Sequence, residues 1–509
     1  MLTKAYAAAV QGIGAATVEI EVHAVASEDP RTRVVGLPDT AVKESTDRVR
    51  AALKNSCFKL KPAAVTVNLA PADLKKEGPL YDLPIALALL AASDVIALPF
   101  LEKVPVIGEL ALSGEVRRVK GVLPIVLALR DKGFKAVAVP AENAEEAALV
   151  EDIAVWPVRD LRHAAALFAG QVKPDVYTIN REELFSLPPG GEDFSDIKGQ
   201  EAARRAIEVA VSGGHNILMI GSPGSGKTML ARRVPSILPP LSLDEALEVT
   251  SIHSVAGTLK ERGLIRQRPF RSPHHTVSDA GLIGGGTHPT PGEVSLAHRG
   301  VLFLDELPEF QRHVLEVMRQ PLEDGEVTIS RTAGSLTFPS DFMLVAAMNP
   351  CPCGFAGDPK RDCRCSEPQM RRYRSKISGP LLDRIDIHVD VPAVPFEALS
   401  SKDVGESSAA IRERVLRVRA IQTARYRDLP GVRCNADLPA GKLQQFCPVD
   451  PEAEAILKMA MAELGLTARA YTRILRVART IADMAGSETI GQAHLFEAIQ
   501  YRALDREQW

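Results

Sequence analysis

The chain lacks an excess of charge of either sign. Its 61 lysines and arginines stand against 64 aspartates and glutamates, a net charge of -3. No bulk positive field is available, so any contact with nucleic acid must come from local patches or from the inside of a ring. It also lacks a long uninterrupted apolar run. The opening MLTKAYAAAVQGIGAATVEIEV has no apolar core ahead of a cleavage site. The most apolar stretch, LPIALALLAASDVIALPF at 83–100, contains Asp94 and two prolines. It is expected to be a buried helix followed by a turn, not a membrane span. Seven cysteines, an odd number, argue against a secreted disulfide framework. A cytoplasmic protein without a membrane segment is the expectation. No internal repeat and no low-complexity tract is present.

The rest of the composition, 46% hydrophobic and 25% charged, is that of a globular protein. At 509 residues it is too long for one hydrophobic core, and two to four domains are expected. One composition break stands out. QVKPDVYTINREELFSLPPGGEDFSD (171–196) is polar, with Pro188, Pro189, Gly190 and Gly191 in a row, and reads as a linker. It separates a domain over 1–170 from one over 197–395. PFEALSSKDVGESS then opens a helical, charged region over 396–509.

GQEAARRAIEVAVSGG (199–214) has helical periodicity, HNILMIG (215–221) is a short apolar strand, and GSPGSGKT follows. The last fits G-x-x-x-x-G-K-[ST] in the strand–loop–helix setting that this phosphate-binding loop needs. Gly221, Gly224 and Gly226 let the backbone turn and aim its N–H groups at phosphate oxygens, with Ser222, Pro223 and Ser225 between them. Lys227 reaches the β and γ phosphates and Thr228 ligates Mg²⁺. GVLFLDEL (300–307) is a buried strand ending in Asp305, suited to hold Mg²⁺ through water, and Glu306, suited to polarise the attacking water. FMLVAAMNP (342–350) ends in Asn349, an amide for the lytic water or the γ phosphate. SGPLLDRIDIHVDV (378–391) carries Arg384, which either serves a nucleotide as an arginine finger or pairs with Asp383 or Asp386.

This order of residues resembles an AAA+ ATPase of the magnesium-chelatase-like branch, next to the MCM helicases. Within that branch it is most similar to the bacterial competence protein M (ComM/YifB) family. The resemblance covers essentially the whole chain. It rests on DFSDIKGQEAARRA, RPFRSPHHTVSDAGLIGGG, PGEVSLAHRGVLFLDELPEF, MNPCPCG, SGPLLDRIDIHV and RAYTRILRVARTIADM. It implies ATP and Mg²⁺ as cofactors. It also implies that 197–200 wraps the adenine, Asn349 is sensor 1, and Arg384 is a finger acting on a neighbouring subunit. Arg469 would be the lid arginine called sensor 2, with Arg473 as the alternative. The implied activity is a DNA motor, a helicase or branch-migration enzyme working as a homohexameric ring during integration of incoming DNA. A protein-remodelling ATPase is the second reading.

EDGEVTISRTAGSLTFPSDF (323–342) alternates like two strands about Ala333-Gly334. By resemblance it is the hairpin that grips DNA in the ring channel, with Arg331 near its tip as a phosphate contact. His274, His275 and His288 lie in a glycine-rich stretch, and their spacing suits loop packing or substrate contact better than a metal. SAAIRERVLRVRAIQTARYRD (408–428) puts Ile411, Val415 and Val418 on one helical face and reads as a solvated helix with an apolar seam. Cys351, Cys353, Cys363 and Cys365 fall within fifteen residues, a possible four-thiolate Zn²⁺ site despite its C-x-C spacing; the alternative is a free-thiol loop.

Residues 1–170 resemble the Lon protease-like (ribosomal S5 domain 2-like) α+β fold, but Leu80 and Leu123 stand where that family has its serine and lysine. A leucine cannot attack a peptide bond, so no protease is expected. The expected fold class is therefore α/β: this α+β domain, an AAA+ P-loop α/β domain and a C-terminal helical lid.

Overall fold

The computed structural model describes residues 1–29, 31–180, 192–259, 263–286, 289–331, 334–358, 361–394, 405–463 and 466–502. The chain forms two compact units. One comprises Met1–Leu187, Leu243–Arg266 and Thr332–Leu336, the other Pro188–Ser242, Gln267–Arg331 and Thr337–Trp509.

In the first unit β1 (Leu2–Gln11) and β2 (Gly14–Ala26) pair antiparallel, Leu2 opposite His23. With β3 (Thr32–Val35) and β4 (Ala63–Ala70) they make a sheet of order β1-β2-β4-β3. In β2 the period of two sends Val18, Ile20 and Val22 inward while Glu19 and Glu21 stay less buried. Helices α1 (Thr40–Asn55), α2 (Asp82–Ala92) and α3 (Val122–Asp131) complete the unit. The apolar run at 83–100 is, as expected, a buried helix followed by a turn. Asp82, fully buried, is neutralised by Arg48 Nε at 2.8 Å and accepts from the Ser45 hydroxyl. Leu80 and Leu123 are buried core side chains.

The helix Leu243–Ala256 belongs to this unit although it lies within the span 197–395. Ser254 explains why: its carbonyl accepts from Gly121 N at 3.3 Å, and its hydroxyl donates to the buried Glu146 carboxylate.

The second unit is built on a five-stranded, all-parallel sheet. In chain order its framework is α4 (Glu201–Gly213), β5 (Ile217–Ile220), α5 (Lys227–Ile237), β6 (Phe270–Arg271) and β7 (Val301–Leu304), then the hairpin strands β8 (Glu326–Arg331) and β9 (Gly334–Pro339), the latter counted in this unit from Thr337 on. It continues with β10 (Met343–Met348), α6 (Glu367–Arg374), β11 (Ile387–Asp390), α7 (Ser408–Arg425), α8 (Pro451–Glu463), α9 (Ala468–Met484) and α10 (Gln492–Gln500). The strand order is β6-β7-β10-β5-β11. β5, β7 and β10 are buried at every residue, as continuous apolar runs in a covered parallel sheet must be.

The expected strands at 215–221, 300–307 and 342–350 and the hairpin are all present. The hairpin strands pair, with the Thr328 and Thr337 hydroxyls 3.1 Å apart, and Arg331 is the last residue of β8. Of the polar stretch 171–196, residues 181–191 lie outside the described residues, but its end is packed structure. Phe194 is 1% exposed in the sheet's core, and Asp193 caps the turn Phe194–Asp196 and accepts from Ser408 N. Helix α7 buries Ile411, Val415 and Val418, the seam that its periodicity indicated.

Candidate functional site

The phosphate loop leaves the carboxyl end of β5, the end where ligands sit in open α/β sheets. Gly221 is required by close approach: a Cβ there would meet the Val391 carbonyl oxygen at 2.1 Å. Gly226 caps α5 at φ +95, and nothing lies within 4 Å of where its Cβ would be, so that side of the loop is open. The Ser225 hydroxyl is buried and has no hydrogen-bond partner among the described residues.

Lys227 is 8% exposed. Its ammonium donates to the carbonyls of Gly221 (2.7 Å) and Ser222 (3.0 Å) and reaches Asn349 Oδ1 at 3.4 Å. Burial lowers its pKa from the usual lysine value, and the charges of Asp305 and Glu306 oppose that. Thr228 Oγ1 donates to Asp305 Oδ2 at 2.8 Å. This hydroxyl–carboxylate pair is the donor set that Mg²⁺ takes up beside a phosphate. The orphaned serine, the open loop and this pair all fit ATP with Mg²⁺.

Glu306 takes φ +53, a left-handed conformation rare for a side-chain-bearing residue, and such outliers concentrate at functional sites. Its carboxylate lies 3.4 Å from His275 Nδ1. The His275 ring in turn lies tilted against His274, ring centroids 4.1 Å apart, and meets Phe310 edge to face. The sequence singled out both histidines but not this contact, because 31 residues separate His275 from Glu306 (306 − 275) and only the parallel pairing of β6 with β7 brings them together. His288 lies outside the described residues.

Gln200 closes another side of the loop. Held at φ 58, it donates from Nε2 to Ser225 O at 3.0 Å and Pro392 O at 2.5 Å. Ile197, in the segment assigned to the adenine, is buried at 5% exposure.

The arginines lie elsewhere. Asp386 N hydrogen-bonds Asn216 O, just before β5 and β11, so Arg384 sits at the amino ends of these strands. Four residues of strand, ~13 Å, separate that end from the phosphate loop. Arg384 is folded in against Glu323 and the Pro380 carbonyl. Neither Asp383 nor Asp386 takes it. Asp383 faces Arg469 at 3.5 Å, and Asp386 pairs with Arg473 and faces His215 Nδ1 at 3.4 Å. Burial pushes the Asp386 carboxyl up, but the charge of Arg473, with His215 beside it, outweighs that and holds it well below the carboxylate range. Of the two sensor-2 candidates, Arg469 is 67% exposed and Arg473 is tied into this buried pair.

The four cysteines of MNPCPCG and DCRC come together: Cys351, Cys353, Cys363 and Cys365 present sulfurs all within 4.8 Å of one another. Cys351 Sγ lies 3.3 Å from Cys353 Sγ and 3.6 Å from Cys363 Sγ. These thiols are free, and the cluster is able to hold a metal ion. The Cys353 thiol is lowered to about 6 because the amides of Phe355 and Arg364 donate to it. Among the described residues no helix is long and apolar enough to cross a membrane.

Comparisons with known proteins agree with this arrangement. Residues 193–399 match the family described as magnesium chelatase, subunit ChlI. Residues 19–143 match its ChlI family and 405–502 its C-terminal family. The chain is 45% identical to competence protein ComM of Haemophilus influenzae over 98% of this chain and 97% of that one. It is 43% identical to YifB of Escherichia coli over 97% and 96%. To the magnesium-chelatase 38 kDa subunit of Rhodobacter capsulatus it is 26% identical, over 59% of this chain and 84% of the subunit. With a parallel-sheet nucleotide fold, a helical C-terminal region and relatives matched along nearly their whole length, the chain belongs to the ComM/YifB family of magnesium chelatase-like AAA+ proteins.

Proposed function

We propose that this protein is an ATP-hydrolysing DNA motor, a helicase or branch-migration enzyme that works as a homohexameric ring in the cytoplasm during recombination of incoming DNA. The observation that carries the reading is the division of the machinery between two ends of one sheet. Lys227, Thr228, Asp305, Glu306 and Asn349 gather at the carboxyl ends, while Arg384 and Arg469 lie at the other. In this reading Arg384, held by Glu323 at the end of the sheet away from the phosphate loop, serves the next subunit's nucleotide and not its own.

In that arrangement the loop amides and Lys227 hold the phosphates, and Glu306 orients the water with Asn349 beside it. Thr228 and Asp305 would hold Mg²⁺, which would supply neutralisation of charge on the β and γ phosphates. Arg384 must leave Glu323 to reach a partner's phosphate, which ties hydrolysis to ring closure. The hairpin β8–β9 with Arg331 is the DNA-contacting element, and the ComM relative's name supports the link to competence. A structural Zn²⁺ at the four cysteines completes the cofactor set.

The test is steady-state ATP hydrolysis with and without single-stranded, duplex and four-way-junction DNA, using Lys227→Ala as the control. The expected result is stimulation by DNA that weakens with salt and is absent in the control. Hydrolysis indifferent to every DNA would sink the motor reading. It would favour protein remodelling, the reading that the 26% identity to a magnesium-chelatase subunit keeps open.

A further inference from the structure

The four-cysteine loop is bound to the ATP site at both of its ends. It begins two residues after Asn349, whose side chain meets Lys227. It ends at Ser366, which caps α6 in a reciprocal box with Gln369. Helix α6 then turns back on the start of the loop. Arg374 donates to the Pro350 carbonyl from Nη2 at 3.3 Å and from Nε at 3.4 Å. In between, Gly354, at φ +85, lies so close to the phosphate loop that a Cβ on it would meet Pro223 Cδ at 2.6 Å. Ala356, Gly357 and Asp358 of the same loop line a cavity of about 630 Å³ together with Gly221 and Ser222.

The sulfurs are arranged for a tetrahedral soft cation. Four thiolates 2.3 Å from zinc lie about 3.8 Å apart, and the separations here of 3.3, 3.6 and 3.6 Å are close to that. A disulfide needs ~2.05 Å. Backbone amides already point at the sulfurs. Ala356 N donates to Cys351 Sγ at 3.3 Å and Cys353 N to Cys365 Sγ at 3.4 Å. Such donors stabilise thiolate charge and orient metal ligands.

We propose that zinc held by Cys351, Cys353, Cys363 and Cys365 is a positioning clamp on ATP hydrolysis: it fixes the loop whose Gly354 bears on Pro223 and whose first residue follows Asn349-Pro350. This rests on the zinc reading above. The metal touches no reacting atom. It sets where Asn349 and the phosphate loop stand, and misplacement on the order of 1 Å costs ~100-fold in rate.

The full-length protein is purified with zinc, and metal per chain is measured alongside ATP hydrolysis, before and after chelation and after zinc is restored. Cobalt replaces zinc in a parallel sample to read a tetrahedral thiolate spectrum. Pro223→Ala is compared with and without zinc, and far-UV circular dichroism monitors folding. One zinc per chain, a fall in kcat of about ten- to hundredfold on removal, recovery on restoration, and a smaller response to zinc in Pro223→Ala are expected. One zinc per chain whose removal leaves kcat and KM unchanged in a folded protein overturns the clamp and spares the zinc reading. So does an undiminished response in Pro223→Ala, which would sever the route through Gly354. Absence of zinc and of the cobalt spectrum overturns both.

Discussion

Arg469 and Arg473 stand one helical turn apart on α9, and their surroundings assign them opposite work. Arg473 pairs with Asp386, whose side chain is 4% exposed. Asp386 also accepts from Asn216 N at 3.3 Å and faces His215, but Arg473 supplies the permanent charge. Arg473→Ala strands a buried carboxylate, an event that costs about 3–5 kcal/mol. Arg469 is 67% exposed and holds Asp383 at only 3.5 Å, so Arg469→Ala costs ~0–1 kcal/mol. Urea unfolding at neutral pH reads both changes from the midpoint and slope. The expected outcome is a large downward shift for Arg473→Ala and almost none for Arg469→Ala, with ATP hydrolysis lost in the folded Arg469 variant. Adding Asp386→Asn to Arg473→Ala removes the stranded charge and should restore part of the loss. A Arg473→Ala protein that unfolds at the wild-type midpoint yet hydrolyses no ATP would refute the reasoning and exchange the two roles. A double variant no better than the single would show that charge is not the cause.

Three further outcomes are expected. Glu306→Gln should bind ATP with near-native affinity, measured with a fluorescent analogue, while turnover falls ~10²–10⁴-fold, the range for a lost general base. Burial, with Arg502 adding to it, lowers His388 to about 3, below the ~6.5 of an unfolded histidine. The unfolded chain then binds the extra proton, so this contribution is fully present above pH ~6.5 and is lost as pH falls toward 3. The loss amounts to ~2 kcal/mol by pH 5, and His388→Gln should flatten that limb of a stability–pH curve. Finally, mixing inactive Lys227→Ala and Arg384→Ala proteins should recover ATP hydrolysis, because roughly one interface in four in a mixed ring carries both native residues. A mixture as dead as its parts would argue that Arg384 does not act across an interface.

Much of the nucleotide site was legible because its chemistry is local. Gly221–Thr228 is contiguous, and Asp305, Glu306 and Asn349 each end an apolar strand, so period and position named them before any contact was known. The residues that escaped are those whose meaning comes from tertiary placement. His275 meets Glu306 only through strand pairing. The helix Leu243–Ala256 reads as part of the nucleotide domain by position in the chain, yet Ser254 hydrogen-bonds to Gly121 and Glu146. Arg384 reads as a finger, with its neighbouring aspartates as the alternative partners, whereas its carboxylate is Glu323, 61 positions earlier (384 − 323). No periodicity encodes such a partner. The cysteines lie between these cases: their proximity in sequence suggests a cluster, and only the folded loop shows all four sulfurs within 4.8 Å of one another.

The near-balance of charge acquires a physical sense if the chain works as the proposed ring. A lone subunit with net charge -3 has little to hold a polyanion, and acids crowd the base of its hairpin at Glu323, Asp324 and Glu326. In a ring each hairpin cation is repeated at every subunit around one strand of DNA. Affinity then grows with the number of subunits engaged and not with the charge of one, in the manner of linked weak contacts. The acids at the hairpin base do not oppose this, since charges more than ~10 Å from a phosphate are largely screened at physiological salt. In the proposed ring they would have a second use in Glu323, which pairs with Arg384 and would hold it until a neighbour's nucleotide competes for it. The residue that starts the hairpin segment and the residue proposed to sense the next subunit's phosphate are thus partners in one ion pair. In the proposed ring, breaking that pair on nucleotide binding would give a direct route from the ATP site of one subunit to the hairpin of the next.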